Sequence, residues 1–77
     1  MLTRAEVLAS FGLPDRAAFE MEPERDPHGL LRIKVSYEGG AGILMAQGHA
    51  AKFADVIRSV DQPLAEQIDA CIAEAKR

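Results

Sequence analysis

The pattern of hydrophobic and polar positions predicts a short helix near the N-terminus. Thr3 and Glu6 have the spacing of a capping box, in which each side chain bonds a backbone N–H at the start of a helix. Gly12 suits the left-handed conformation that closes a helix, and Pro14 prevents its continuation. We therefore expect a helix over residues 4–11.

Two alternating segments then predict an antiparallel hairpin. Residues 31–37 alternate between apolar and polar side chains, which is the period of a strand. Residues 17–22 alternate in the same way, although a short helix is also compatible with that segment. Residues 26–29 between them have the Asp-Pro-x-Gly preferences of a type I turn. A strand over 17–22 is favoured because it allows opposite charges to face each other across the hairpin.

Those charges also suggest a register for the hairpin. If Glu22 lies opposite Arg32, then Glu20 lies opposite Lys34. Each such pair of opposite charges contributes about 0.2–1 kcal/mol. The sequence therefore predicts two cross-strand ion pairs on the polar face of the hairpin.

A third strand over residues 43–47 is expected after the glycine pair at 39–40, which is typical of a tight turn. The length of this loop decides which face of the strand points to the core. A two-residue turn places Leu44 on the face of Val35, whereas a three-residue loop exposes Leu44, and the sequence leaves both open. In either case the third strand has apolar side chains on both faces, whereas the first two strands have theirs mainly on one.

The C-terminal half predicts two helices. Apolar residues recur at helical spacing over residues 49–60, in a helix that Gly48 or Gln47 would start. Asp61 and Pro63 suit the start of a second helix. The apolar stripe of that helix is formed by Leu64, Ile68, Cys71, Ile72 and Ala75. The expected fold class is therefore α+β, with a short N-terminal helix, a three-stranded antiparallel β-meander and two C-terminal helices packed on the sheet. Residues 1–77 are expected to form a single compact domain.

Composition supports a small folded domain that gains from self-association. Hydrophobic residues make up 48% of the chain and charged residues 27%, as in globular proteins. A core in 77 residues rarely supplies more than about 3–5 kcal/mol of stability. The single cysteine allows no intrachain disulfide, which favours a reducing compartment. We find no signal peptide or membrane-spanning segment, and we expect a soluble, cytoplasmic protein with no membrane partner.

The sequence predicts no catalytic, cofactor-binding or metal site, and so no enzyme. His28 falls in the predicted turn, and His49 has Phe53 rather than a second ligand four residues later. Cys71 lies on an apolar helical stripe, which is typical of a core residue rather than a reactive thiol. The glycine-rich segment 39–42 is followed by a strand, whereas a phosphate-binding loop leads into a helix.

Two surfaces are candidates for an interaction. The first is an acidic stripe, formed by Glu20, Glu22, Glu24 and Asp26. A solvated sheet face with salt partners is the simpler interpretation of that stripe. The second is a partner or dimer interface on the third strand, formed by Ile43, Leu44 and Met45. The alternative there is that the N-terminal helix covers the second face of the sheet within the same chain.

These features favour a small acidic, non-enzymatic protein-interaction module. It would bind or inhibit a larger protein, as phage or mobile-element inhibitors of the anti-CRISPR kind do, and would act as a homodimer. The alternative is a transcriptional regulator or antitoxin-like protein associated with nucleic acid. A net charge of −3 and a pI of about 5.2 make nucleic acid the less favoured partner, because lysine and arginine supply most of that affinity.

Overall fold

A computed structural model describes residues 1–77 and has the expected α+β architecture. The helices are α1 (Arg4–Ser10), α2 (Gln47–Ile57) and α3 (Gln62–Ala75), and the strands are β1 (Glu20–Arg25), β2 (Leu31–Ser36) and β3 (Gly42–Ala46). The strands form one antiparallel sheet in the order β1-β2-β3. A short N-terminal helix, a three-stranded sheet and two C-terminal helices packed on it are thus confirmed.

The predicted caps fix the start of two helices. At α1, Thr3 Oγ1 accepts a hydrogen bond from the Glu6 N–H (3.2 Å), and Glu6 Oε1 accepts one from the Thr3 N–H (2.9 Å). At α3, the Asp61 carboxylate accepts a bond from the Leu64 N–H at 3.1 Å. α1 ends one residue earlier than expected, at Ser10. α2 begins at Gln47, one of the two expected starts, and ends at Ile57, three residues before the expected end.

The first strand begins later than the alternating pattern predicts. β1 starts at Glu20 rather than at residue 17, and residues 17–22 do not form a helix. Glu20 pairs with Ser36, the last residue of β2, so residues 17–19 have no strand opposite them. The carbonyl oxygens of Arg16 (2.7 Å) and Ala17 (3.5 Å) instead accept hydrogen bonds from the Arg4 guanidinium. Those carbonyls are bound to a side chain from α1 and do not join the sheet.

The expected register of β1 and β2 is wrong by two residues. Glu22 lies opposite Lys34, where the charge pattern predicted Arg32. The turn determines this difference, because Asp26 closes the hairpin against Leu30, with its N–H 2.9 Å from the Leu30 carbonyl oxygen. The expected register would have set Asp26 opposite residue 28, inside the turn. The type I turn itself is confirmed by the hydrogen bond of 2.9 Å from the residue 29 N–H to the Asp26 carbonyl.

The loop between β2 and β3 is the three-residue alternative. It is a single 3-10 turn over Glu38–Gly40, and both of its glycines have a positive φ. This loop places Leu44 opposite Lys34 on the face of the sheet that points away from the core, while Ile43 and Met45 point toward the core. The two-residue turn, which would have buried Leu44, is not formed.

The helices cover one face of the sheet. α3 packs on β1 and β2, α2 packs on β2 and β3, and α1 packs against α2. All 16 buried residues belong to one hydrophobic cluster on that side. Phe53 is the largest of its fully buried side chains. No helix packs on the opposite face, so α1 does not cover it as the alternative interpretation required.

Candidate interaction surface

The open face of the sheet is charged on two strands and apolar on the third. We call it the outer face. Even-numbered residues of the strands point to it, because side chains alternate along a strand. β1 contributes three glutamates, β2 contributes Arg32 and Lys34, and β3 contributes Leu44. This arrangement gives an acidic side, a basic centre and a short apolar edge.

The acidic stripe divides into two ends with different surroundings. Glu24 and Asp26 form ion pairs, with Lys34 at 3.9 Å and with Arg32 at 3.0 Å respectively. Glu20 and Glu22 form neither an ion pair nor a side-chain hydrogen bond. The solvated, salt-bridged interpretation therefore holds for one end of the stripe, and two carboxylates remain free at the other.

The free end of the stripe borders a hollow of about 480 Å³. Its wall includes Glu20 and Glu22, together with Lys34, Tyr37 and Glu38 from β2 and the loop that follows it. Glu38 lies 3.7 Å from Arg16, so the free charges of the hollow are the carboxylates of Glu20 and Glu22 beside the Lys34 ammonium group. The balance is negative, which favours a positively charged group.

Sequence reasoning missed the contribution of Tyr37 and Glu38 to this hollow. Both residues follow β2, and the register brings them near Glu20, because Glu20 lies opposite Ser36. In the expected register Glu20 faced Lys34 instead. A three-residue first loop, in which Asp26 pairs with Leu30, would have predicted the observed register. That register places the end of β2 beside the start of β1.

Asp26 is a structural residue of the first hairpin. Its Oδ1 accepts hydrogen bonds from the N–H groups of His28 (2.9 Å) and Leu30 (3.0 Å), and its Oδ2 accepts one from Arg32 Nε (3.1 Å). Partial burial alone raises the pKa of this carboxyl, but the Leu30 and His28 bonds and the Arg32 guanidinium outweigh it. The pKa of Asp26 therefore lies below its ordinary value.

Acid is expected to destabilise the protein as Asp26 takes up a proton. A carboxyl whose pKa is lowered by folding stabilises the native state above its unfolded pKa, near 3.9, and that contribution is lost as the pH falls through the folded pKa. Glu6, whose pKa is lowered by hydrogen bonds from Thr3, acts in the same direction. Urea unfolding between about pH 2 and pH 6 measures the effect. Asp26→Asn should flatten the decline of the free energy of unfolding below about pH 4. Glu66→Gln changes an exposed position and should leave that decline as it is in the native protein. Equal declines in the two variants contradict the role of Asp26.

The three residues of the predicted interface lie in different environments. Met45 is 2% exposed and belongs to the core, and Ile43 is half-buried against that core. Leu44 is 50% exposed on the outer face. Leu30, which is 57% exposed at the end of the first hairpin, is a further apolar residue that the sequence did not single out. Of the three predicted residues, Leu44 presents the most side chain to a partner.

The residues with candidate chemistry do not converge. His28 is exposed in its turn, and the ring of His49 contacts that of Phe11 in a tilted arrangement, with ring centres 5.0 Å apart. Cys71 is buried, and burial, followed by the charges of Glu74 and Glu22, raises the pKa of its thiol. No three side chains of histidine, cysteine, aspartate or glutamate are grouped so that they could hold a metal ion.

A nucleic-acid surface would need basic residues on the C-terminal helices. α2 has Lys52, and just beyond its end lies Arg58. The Arg58 guanidinium is 3.0 Å from Asp69 and 3.6 Å from Asp55. One of the two cations is thus already paired within the chain.

None of the three helices is both long enough and apolar enough to cross a bilayer. The distinctive features of the outer face are the free carboxylates of Glu20 and Glu22, the hollow beside them and the exposed side chain of Leu44. No family model, curated protein or solved structure matches this chain.

Proposed function

We propose that this protein is a small acidic, non-enzymatic interaction module that binds a larger protein through basic groups and acts as a homodimer. The observation that supports this most is the hollow beside Glu20 and Glu22, whose carboxylates are free while Glu24 and Asp26 are paired. A lysine or arginine side chain of a partner complements that charge. Binding and blocking a larger protein is how inhibitors of the anti-CRISPR kind work, and this chain fits that class in size and charge.

The hollow is suited to a cationic side chain in shape as well as in charge. Arginine and lysine have long apolar stems that pack along apolar or aromatic surface while the charged head stays in polar surroundings. Phe19 and Tyr37 line the same hollow and contact each other edge to face, with ring centres 6.4 Å apart. An incoming stem would pack beside Tyr37, and its head would lie between Glu20 and Glu22.

Charge reversal at Glu20 and Glu22 is expected to abolish partner binding and leave the fold intact. Both side chains are exposed and form no ion pair, so the double variant Glu20→Lys/Glu22→Lys removes the attraction without breaking a salt bridge. The new ammonium group at position 22 lies opposite Lys34, which costs about 0.2–1 kcal/mol, too little to unfold the chain. The measurement is a quantitative pull-down from lysate of the source cells, with captured proteins identified by mass spectrometry. We expect a partner to be depleted at least about tenfold by the reversal, and to be released from the native protein at high salt.

The matched control is Glu66→Lys/Glu74→Lys. These residues are exposed on α3, on the other side of the sheet, and the change in net charge is the same. A partner that is retained by the control and lost by the reversal supports the proposal. Equal capture by the native protein and the reversal variant contradicts it, and so does equal loss in both variants, which indicates attraction by net charge alone.

A further inference from the structure

The two outer strands of the sheet have different free edges. β1 and β3 each pair with β2 only, so each has one edge without a neighbour. β1 contains three glutamates, an arginine and Pro23, whereas β3 consists of Gly-Ile-Leu-Met-Ala. Charges and prolines are the features by which proteins protect exposed strand edges from pairing. By that criterion β1 is protected and β3 is not.

The hydrogen bonds that close the first hairpin show how β1 is blocked. The Asp26 N–H donates to the Leu30 carbonyl at 2.9 Å, and backbone groups along a strand alternate in direction. Even-numbered residues of β1 therefore bond to β2, and odd-numbered residues direct their backbone groups to the free edge. Pro23 is in the middle of that edge and has no N–H, so it cannot donate to another strand.

The second hairpin leaves a complete set of groups on the free edge of β3. The Tyr37 N–H donates to the Ala41 carbonyl at 2.8 Å, so odd-numbered residues of β3 bond to β2. Gly42, Leu44 and Ala46 therefore direct their N–H and C=O groups outward. All three are exposed, and none is a proline.

We propose that the β3 edges of two copies of this chain pair antiparallel about a two-fold axis between their Leu44 residues. Leu44 of one copy then lies opposite Leu44 of the other, and Gly42 of each lies opposite Ala46 of the other. This pairing rests on the homodimer proposed above and identifies its contact surface. It converts two three-stranded sheets into one sheet of six strands.

The β3 edge is complementary to itself in hydrogen bonding, in packing and in charge. A two-fold axis requires that the same patch on both copies fit together, and an antiparallel strand pair centred on one residue has that symmetry. The two leucines form an apolar cross-strand pair and cover each other's exposed surface. β3 has no charged residue, so no like charges meet, whereas pairing β1 with itself would bring glutamates together.

The paired sheet keeps the acidic stripes accessible. The two-fold axis is perpendicular to the sheet, so the helices of both copies lie on one side and both outer faces lie on the other. The two β1 strands become the outermost strands of the six, five strand spacings or about 24 Å apart. The dimer thus presents two acidic hollows on one surface, which suits a partner with two basic patches at that separation.

Charge at Leu44 is expected to break the dimer without unfolding the chain. In Leu44→Glu the new carboxylate lies opposite Lys34 of its own chain, which is favourable, and opposite a second carboxylate in the dimer, which is not. Sedimentation equilibrium of the purified protein from about 10 μM to 1 mM gives the dissociation constant. We expect the native chain to dimerise in this range and Leu44→Glu to raise the constant at least about tenfold.

Mixing Leu44→Glu with Leu44→Lys tests the position of the axis. If the two positions face each other, the mixture forms a one-to-one dimer that neither variant forms alone. Leu30→Glu is the matched control, because Leu30 is about as exposed as Leu44 but belongs to the loop between β1 and β2 rather than to the β3 edge, and the dissociation constant of this variant should equal that of the native chain. Circular dichroism of each variant checks that it is folded.

A native chain that stays monomeric at 1 mM overturns the proposal. So does a Leu44→Glu variant that dimerises as tightly as the native chain. These outcomes are distinct from a failure of the acidic surface, because the sedimentation experiment contains no partner. A Glu20→Lys/Glu22→Lys variant that dimerises normally supports the assignment of dimerisation to β3 whether or not it still captures a partner.

Discussion

Replacing Phe53 with alanine is expected to leave most of the protein unfolded at 25 °C. Phe53 is the largest fully buried side chain of the hydrophobic cluster, and its ring centre lies 4.8 Å from that of Phe11. Phenylalanine-to-alanine changes at such sites cost about 3–5 kcal/mol, from lost burial and the cavity left behind. A single core of this size rarely provides more than about that amount, so the substitution removes nearly the whole stability.

The measurement is urea unfolding followed by far-ultraviolet circular dichroism, at equal protein concentration, because dimerisation makes stability depend on concentration. The control is His49→Ala on the same helix. His49 also contacts Phe11 but is exposed, so we expect a loss below about 1 kcal/mol. A cooperative Phe53→Ala transition with the native midpoint would show that the core is not organised around this ring.

The helix starts could be predicted from the sequence because their signals are local. Thr3 with Glu6, and Asp61 ahead of Pro63, each act within one helical turn, and the structure forms both caps. The predicted ends of the helices were less accurate, and so was the predicted start of β1. At the predicted start of that strand, the carbonyl groups of residues 16 and 17 accept hydrogen bonds from Arg4 instead of joining the sheet. No local pattern reveals a contact between residues so far apart in the chain.

The strand registers could not be predicted because they depend on loop conformation. Both hairpins close with three-residue loops that end in a glycine with positive φ, Gly29 in the first and Gly40 in the second. Adding one residue to a loop moves every side chain of the following strand to the other face. The charge pattern alone fitted two registers almost equally, since Glu22 finds a cation opposite it at Arg32 or at Lys34.

Loop length also decides which part of the predicted interface remains available. Because the second loop has three residues, Met45 fills the core and Leu44 faces outward. A charge at Met45 would therefore test folding rather than binding, and Leu44 is the position at which an interaction can be tested separately. The first loop has a comparable effect on the acidic stripe, because it pairs Asp26 with Arg32 and leaves Glu20 beside the hollow.

Removing the Arg4 side chain is expected to cost about 2 kcal/mol, the second largest loss we foresee. Its guanidinium donates to Asp61 (2.8 Å), to Asp15 (2.9 Å) and to the Arg16 carbonyl (2.7 Å). It thus ties α1 to the segment before β1 and to the start of α3. Only a quarter of the side chain is exposed, so Arg4→Ala leaves the partly buried Asp61 without its cation.

Two further substitutions separate this role from a general effect of charge. Arg4→Lys should recover little of the lost stability, because a single ammonium group cannot reach three acceptors as a planar guanidinium does. Arg16→Ala should change the urea midpoint only slightly, since Arg16 is exposed and lies 3.7 Å from an exposed glutamate. If Arg4→Ala were as mild as Arg16→Ala, or were fully rescued by lysine, the bonds of Arg4 would contribute no more than a surface ion pair.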